Sequence, residues 1–268
     1  MSNDNENNDK INNFNESNSN NNENNSSPKQ EYEVVDYESW DDIEELQDRT
    51  DILRGIYGYG FEKPSPIQKR AIRPLMLGYD IIAQAQSGTG KTGCFAIGTL
   101  YRIDPKVRAL QAMVMAPTRE LSRQISSVIS SISTQIEGLK SYLLVGGTST
   151  ELDKENLYHD IPHIVIGCPG RIHDMLRRKY IDPRSVKLIV LDEADEMLSQ
   201  GFKEQVYNIF QFLSSDVQVG LFSATMPTEL HSLTEKFMRD PVKILVKSEM
   251  LSLEGIAQYY VALEDDSS

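Results

Sequence analysis

Four consecutive apolar residues, Leu188-Ile189-Val190-Leu191, lead into a cluster of acids with no polar side chain among them to face water. A half-exposed strand alternates; an unbroken run demands burial on both faces, which is the signature of a parallel sheet covered by helices on each side. Similar short runs occur at 80–83, 110–116, 142–145, 163–167, 217–222 and 242–246, and the run above belongs to 186–191. Between them, 66–76, 91–101, 118–135, 171–178, 203–213 and 229–238 space their apolar residues as amphipathic helices do. Strands alternating with helices predict an α/β fold with a mostly parallel central sheet and helices on both faces. Seven strands with their crossovers use the sequence from about residue 48 onward, so one such domain is expected and no second full one.

The first strand runs into Ala85-Gln86-Ser87-Gly88-Thr89-Gly90-Lys91-Thr92, and a helical pattern follows. Glycines at such a junction let backbone N–H groups wrap a polyphosphate at a helix N-terminus, where the helix dipole favours negative charge. Lys91 is then placed to reach the β and γ phosphates of a nucleoside triphosphate, and Thr92 to offer its hydroxyl to Mg²⁺. Gly88, Gly90 and Gly93 also satisfy a dinucleotide-binding fingerprint, which wants an acid at the end of the next strand for the ribose. That strand ends Met115-Ala116-Pro117 without a carboxylate, so a triphosphate is the preferred ligand. A second metal-directed group is expected at the end of another buried strand, and Leu191-Asp192-Glu193 supplies it. Asp192 is read as a Mg²⁺ holder through water and Glu193 as the base for an attacking water; a solvated acidic helix start is the other reading of the pair.

Charge divides the sequence unevenly. Thirteen of residues 1–25 are Asn, and residues 1–48 carry 14 acids against Lys10 and Lys29. The remainder holds 25 basic and 26 acidic residues, so the formal −13 is a property of the N-terminal stretch and any nucleic-acid surface on the folded part must be local. A stretch so poor in apolar residues cannot offset the entropy of ordering, so 1–36 is expected to be a disordered acidic tail. Cys94 and Cys168 cannot form a disulfide framework and stand in no metal-ligand spacing with His159, His163, His173 or His231. With no 18-residue apolar run and no leader-like start, the expectation is a cytoplasmic protein with no membrane partner.

At Asp192-Glu193-Ala194-Asp195 the sequence resembles the N-terminal RecA-like domain of DEAD-box RNA helicases, and further motifs follow in the family's order from about Tyr37 to Asp266. The resemblance implies a RecA-like P-loop domain over 37–258, with 259–268 as the start of a linker toward a second RecA-like domain. It implies that Phe61 stacks on adenine and that Gln68 reads the base edge, with Ser87, Gly88, Thr89, Gly90, Lys91 and Thr92 on the phosphates of ATP. It also implies single-stranded RNA at Pro117-Thr118-Arg119, at Gly146-Gly147 and at Pro169-Gly170-Arg171, gripped by helix N-termini and by the two arginines. Cys168 stands where family members commonly carry Thr, which removes one hydroxyl donor. Ser223 and Thr225, with Asp195, are implied to link the ATP and RNA sites. Within the family the sequence is most similar to members of the translation-initiation type, which implies an initiation-factor scaffold protein as partner; an exon-junction or nuclear RNA-processing helicase, a non-catalytic binding module and a guanine-specific phosphate-loop enzyme are the alternatives.

Overall fold

The computed structural model describes residues 37–246. The expected tail at 1–36, the end of the expected domain at 247–258 and the expected linker at 259–268 lie outside the described residues. The seven expected strands all form: β1 (Ile81–Gln84), β2 (Ala112–Met115), β3 (Ser141–Leu144), β4 (Ile164–Gly167), β5 (Leu188–Leu191), β6 (Gln218–Ser223) and β7 (Val242–Leu245). They pair in parallel in the order β3-β4-β2-β5-β6-β1-β7. Every carboxyl end therefore points to one edge of the sheet.

Side-chain alternation sends one strand into two cores. Leu188 and Val190 of β5 join one apolar cluster, and Ile189 and Leu191 join the other. The first cluster packs under α2 (Thr50–Gly58), α3 (Pro66–Met76), α4 (Lys91–Arg102) and α5 (Arg119–Ile132), and the second under α7 (Pro169–Arg177), α9 (Lys203–Phe212) and α10 (Thr228–Phe237). Burial on both faces explains why β5 is apolar throughout, while the edge strand β7 is partly exposed.

The sequence pattern missed four helical segments. The acid-rich approach at 37–48 folds into a short 3₁₀ turn and α1 (Glu44–Gln47), burying Tyr37, Trp40, Ile43 and Leu46 at a spacing of three. In α2 only Ile52, Gly55 and Ile56 are buried, and Gly55 is there for close approach: a Cβ on it would lie 1.8 Å from the Ile132 carbonyl oxygen at the end of α5. Helix α6 (Thr150–His159) lacks an apolar stripe; the Ser149 hydroxyl caps it by accepting from the Leu152 N–H, and its buried residues are Asp153 and Leu157. A further short helix, α8 (Ala194–Met197), continues the acidic motif after β5. Two boundaries also move. The expected helix at 171–178 begins two residues earlier because Pro169 occupies the first turn, and the one at 118–135 is α5 capped by the Thr118 hydroxyl and closed by a 3₁₀ turn at Ser133–Gln135.

Candidate functional site

The strand order decides what meets at the carboxyl edge. The phosphate loop leaves β1 and Asp192-Glu193 leaves β5, with only β6 between them. The three segments read as RNA-directed leave β2, β4 and β3, which are neighbours on the other side of β5. Two half-edges thus abut, with the acids at their junction.

In the phosphate loop Gly88 and Gly90 adopt φ of 81° and 100°, a region closed to most side chains, and Gly90 opens α4. Ser65 caps α3, and the Gln68 side chain reaches back to accept from the Ser65 N–H at 2.8 Å. Both residues then hold the loop: Ser65 Oγ donates to the Thr89 carbonyl at 2.8 Å and Gln68 Nε2 to the Gly90 carbonyl at 3.1 Å. One amide hydrogen and one carbonyl lone pair of Gln68 remain beyond these bonds, so its use as a loop brace is compatible with reading a base. Phe61 lies against Gly93, where a Cβ would sit 2.7 Å from its ring, and packs edge-on to Tyr59 at 4.7 Å. Trp40, fully buried, donates its indole N–H to the Phe61 carbonyl at 2.9 Å. Trp40 and Tyr59 are site-supporting residues the sequence reading passed over, and Gly93, noted there only as part of a dinucleotide fingerprint, makes room for Phe61; the regular apolar spacing around Trp40 was the available signal. A cleft of about 230 Å³ results, lined by Phe61, Ser87, Gly88, Lys91, Thr92, Asp192 and Glu193 among others.

Lys91 is buried, with its ammonium donating to the Ala85 carbonyl at 2.9 Å and paired with Glu193 Oε1 at 3.0 Å. Glu193 turns back toward the loop because its backbone is left-handed, φ 46° and ψ 53°, a costly conformation for a residue with a side chain. Its N–H donates to the Asp192 carboxylate at 3.0 Å. Burial pushes the Asp192 carboxyl up and the Glu193 carboxylate raises it further; the Lys91 ammonium and the Glu193 N–H oppose them, leaving it at about 7. A hard divalent cation suits this donor set of carboxylate and Thr92 hydroxyl. Among the described residues no three His, Cys, Asp or Glu side chains converge on one point, so a cation here would rest mainly on nucleotide phosphates and water.

A raised carboxyl makes a testable stability statement. Between the unfolded pKa near 3.8 and about 7 the folded chain holds a proton that the unfolded chain has lost, so stability falls as pH rises through that window and levels off above it. We expect the melting temperature of the nucleotide-free, chelator-treated protein to carry this decline, and Asp192→Asn to remove several degrees of it. An unchanged pH profile in that variant would assign the decline elsewhere.

Next along the edge, Ser223, at the end of β6, accepts from the Asp195 N–H at 3.2 Å, and Asp195 Oδ2 accepts from the Thr225 N–H at 2.9 Å and its hydroxyl at 2.6 Å. Burial alone raises Asp195; the bonds from Thr225 and Ser223 outweigh it and hold the carboxyl below its usual range. The Ser223 carbonyl accepts from the Ala85 N–H at 3.0 Å. Ser223, Asp195 and Thr225 are therefore one hydrogen-bonded unit joining the acidic motif to the phosphate loop.

On the other half, buried Pro117 leads into Thr118, whose hydroxyl accepts from the Leu121 N–H at 3.2 Å. Arg119 is exposed, makes no ion pair among the described residues, and lies over Gly146 and Gly147: a Cβ on Gly147 would be 2.6 Å from its Nη1. Pro169 and Gly170 open α7. Cys168, its N-cap, makes no side-chain cap; the thiol is buried 3.6 Å from Ser122 Oγ, and burial raises it. Arg171 departs from expectation. Its guanidinium is engaged by Asp153 and by the Thr148 carbonyl at 2.9 Å, with the side chain only 11% exposed, so it is not the free cation that the sequence suggested.

The larger cavity, about 610 Å³, lies among the residues leading into β2, β4 and β5 and against α6. It sits at the opposite edge of the sheet and none of the phosphate-directed groups lines it, so size does not locate this site.

A family profile described as DEAD/DEAH box helicase matches residues 65–233. A Neurospora crassa protein named ATP-dependent RNA helicase eIF4A is 52% identical over 229 residues, 85% of this chain and 57% of that protein. Among solved structures, a DEAD box protein from the hyperthermophile Methanococcus jannaschii is 36% identical with a TM-score of 0.75, over 81% of this chain and 58% of that one. Saccharomyces cerevisiae Dbp5 bound to RNA and ADP BeF3 is 35% identical with a TM-score of 0.68, over 78% and 52%. The chain thus spans little more than half the length of the relatives it matches.

Proposed function

This chain belongs to the DEAD/DEAH box helicase family, and from that premise we propose that it is the ATP- and RNA-binding half of an ATP-dependent RNA helicase of the translation-initiation type. It acts, on this reading, with a second RecA-like domain and an initiation-factor scaffold protein. The observation that carries the reading is the continuity of the carboxyl edge: Lys91, Asp192 and Glu193 on one side, Thr118, Arg119 and the Gly147 loop on the other, with the bonded unit Ser223, Asp195 and Thr225 beside the acids. The 52% identity to a protein named ATP-dependent RNA helicase eIF4A supports it, as does the likeness to a Dbp5 structure holding RNA and an ADP complex.

Bound Mg²⁺-ATP would supply the phosphoryl group and the charge that orients an attacking water. The chain's residues do the rest. Gly88 and Gly90 would present loop N–H groups, Lys91, now bonded to the Ala85 carbonyl and Glu193, would turn to phosphate, Thr92 and Asp192 would hold the cation, Asp192 through water, and Phe61 would stack on the base. Glu193, released from Lys91, accepts a proton from water. Because Asp195 is bonded to Thr225 and, through Ser223, to Ala85 at the start of the phosphate loop, while the Asp192 N–H donates to the Met115 carbonyl at the end of β2 at 2.9 Å, a shift at the acids reaches both half-edges.

Competition against a fluorescent adenine nucleotide tests the ligand assignment. ATP should displace it and GTP should not, since Gln68 has a donor and an acceptor left for the adenine edge. Equal displacement by GTP would overturn the adenine assignment, and displacement by GTP but not by ATP would favour a guanine-specific enzyme.

A further inference from the structure

A nearly buried carboxylate ties together the elements that carry the RNA-directed half of the edge. Asp153 of α6 is 3% exposed, accepts from Arg171 Nη1, and accepts from the Tyr142 hydroxyl of β3 at 3.0 Å. The Thr148 hydroxyl lies 3.3 Å from Asp153 and 3.0 Å from the Val145 carbonyl, and Arg171 Nη2 donates to the Thr148 carbonyl. Asn156, one turn further along α6, donates to the Tyr142 oxygen at 3.0 Å. Four segments thus converge on one carboxylate: β3, the loop holding Gly146 and Gly147, α6, and the first turn of α7.

A buried charge pair is weak evidence for stability, because desolvation of two ions offsets most of their attraction. What it fixes is geometry, since a guanidinium and a carboxylate dock in few orientations. Here the fixed quantity is the spacing between the Gly147 loop, over which Arg119 lies, and Gly170 at the exposed start of α7. Cys168 leaves that helix start without a side-chain cap and Pro169 has no N–H, so Gly170 carries the leading donor, while the Arg171 N–H already donates to the Cys168 carbonyl at 3.1 Å.

We propose that Asp153 is a positioning residue for RNA: it uses Arg171 as a strut that presets the distance between the Gly147 loop and the N-terminus of α7, so that both meet successive phosphates of one strand. The proposal rests on the RNA reading above. It also explains why α6 forms without an apolar stripe, since its register is set by a polar anchor.

The test is a salt titration of labelled single-stranded RNA binding to the full chain, beside ATP affinity. Asp153→Asn keeps the shape and removes the charge that holds Arg171. RNA affinity should fall roughly tenfold, with ATP affinity and the salt slope unchanged, because no phosphate-neutralising cation has been lost. Arg119→Ala should instead reduce that slope by about 1. Unchanged RNA affinity in Asp153→Asn, while Arg119→Ala weakens binding, would overturn the strut and leave the RNA reading standing. Tighter binding with a steeper slope would also overturn it, making Arg171 a reserve cation that Asp153 restrains. If the unaltered chain binds no RNA, the reading itself fails and the strut with it. Should Asp153→Asn lose ATP affinity too, Tyr142→Phe decides: it removes a single hydrogen bond to the carboxylate, and a fall of about two- to threefold in RNA affinity alone is expected.

Discussion

Glu193→Gln, in a form of the protein continued through a second RecA-like domain, is expected to bind Mg²⁺-ATP as before and to lose roughly 10²–10⁴ in hydrolysis rate. Two observations separate Glu193 from its neighbour. Both line the cleft, but Asp192 is almost wholly buried at 2% exposure, whereas the Glu193 side chain is 17% exposed and meets Lys91 at 3.0 Å. A task that begins only when water attacks suits the accessible group. The amide keeps the size and hydrogen-bonding capacity of the acid but cannot take a proton, so orientation survives and acceptance does not. Removing the carboxylate also removes the ion that holds Lys91 in the ligand-free state, so ATP affinity should stay level or rise slightly. Nucleotide binding by calorimetry, beside single-turnover hydrolysis, reads both quantities. A loss of ATP affinity as large as the loss of rate would reassign Glu193 to the metal.

The nucleotide half was legible because its chemistry requires particular residues at fixed spacing. Gly90-Lys91-Thr92 after a strand admits few alternatives, and the apolar run Leu188–Leu191 announced both the burial of β5 and the position of the acids at its end. Arg171 was not legible in the same way. A guanidinium beside a helix start reads alike whether it faces a phosphate or an internal carboxylate, and the carboxylate in question is 18 residues away on a helix that has no apolar periodicity. Trp40 was hidden for a related reason: composition averaged over 1–48 is dominated by acids and Asn, while the local spacing of Tyr37, Trp40, Ile43 and Leu46 marks a folded segment. Periodicity finds helices that bury an apolar face, so α6, which buries Asp153, fell outside its reach, whereas α2 carries the signal in Ile52 and Ile56, buried four residues apart, over only nine residues.

A polypeptide of these 268 residues, assayed by itself, is expected to bind ATP weakly and to turn it over at a rate lower by ~10³–10⁵ than the same chain joined to a second RecA-like domain. The resemblance to the family implies that arginines of the second domain neutralise charge on the transferring phosphoryl group. The candidates within the described residues lie elsewhere. Arg119 sits over Gly146 and Gly147 on the far side of β5, and Arg171 is held by Asp153. Lys91 alone among the cleft-lining residues is a cation, and it is already assigned to the β and γ phosphates. A phosphate loop supplies binding and orientation; without a cation on the opposite side of the phosphoryl group the transition-state charge goes unanswered. RNA-stimulated hydrolysis and duplex unwinding should accordingly be negligible, and RNA binding weak, since only one wall of the groove is present in such a sample. Steady-state hydrolysis at saturating ATP and RNA, compared between the two forms, gives the ratio directly. Comparable turnover would show that an arginine of this chain, or of a second copy of it, completes the site, and a quadratic dependence of rate on protein concentration would tell the second case from the first.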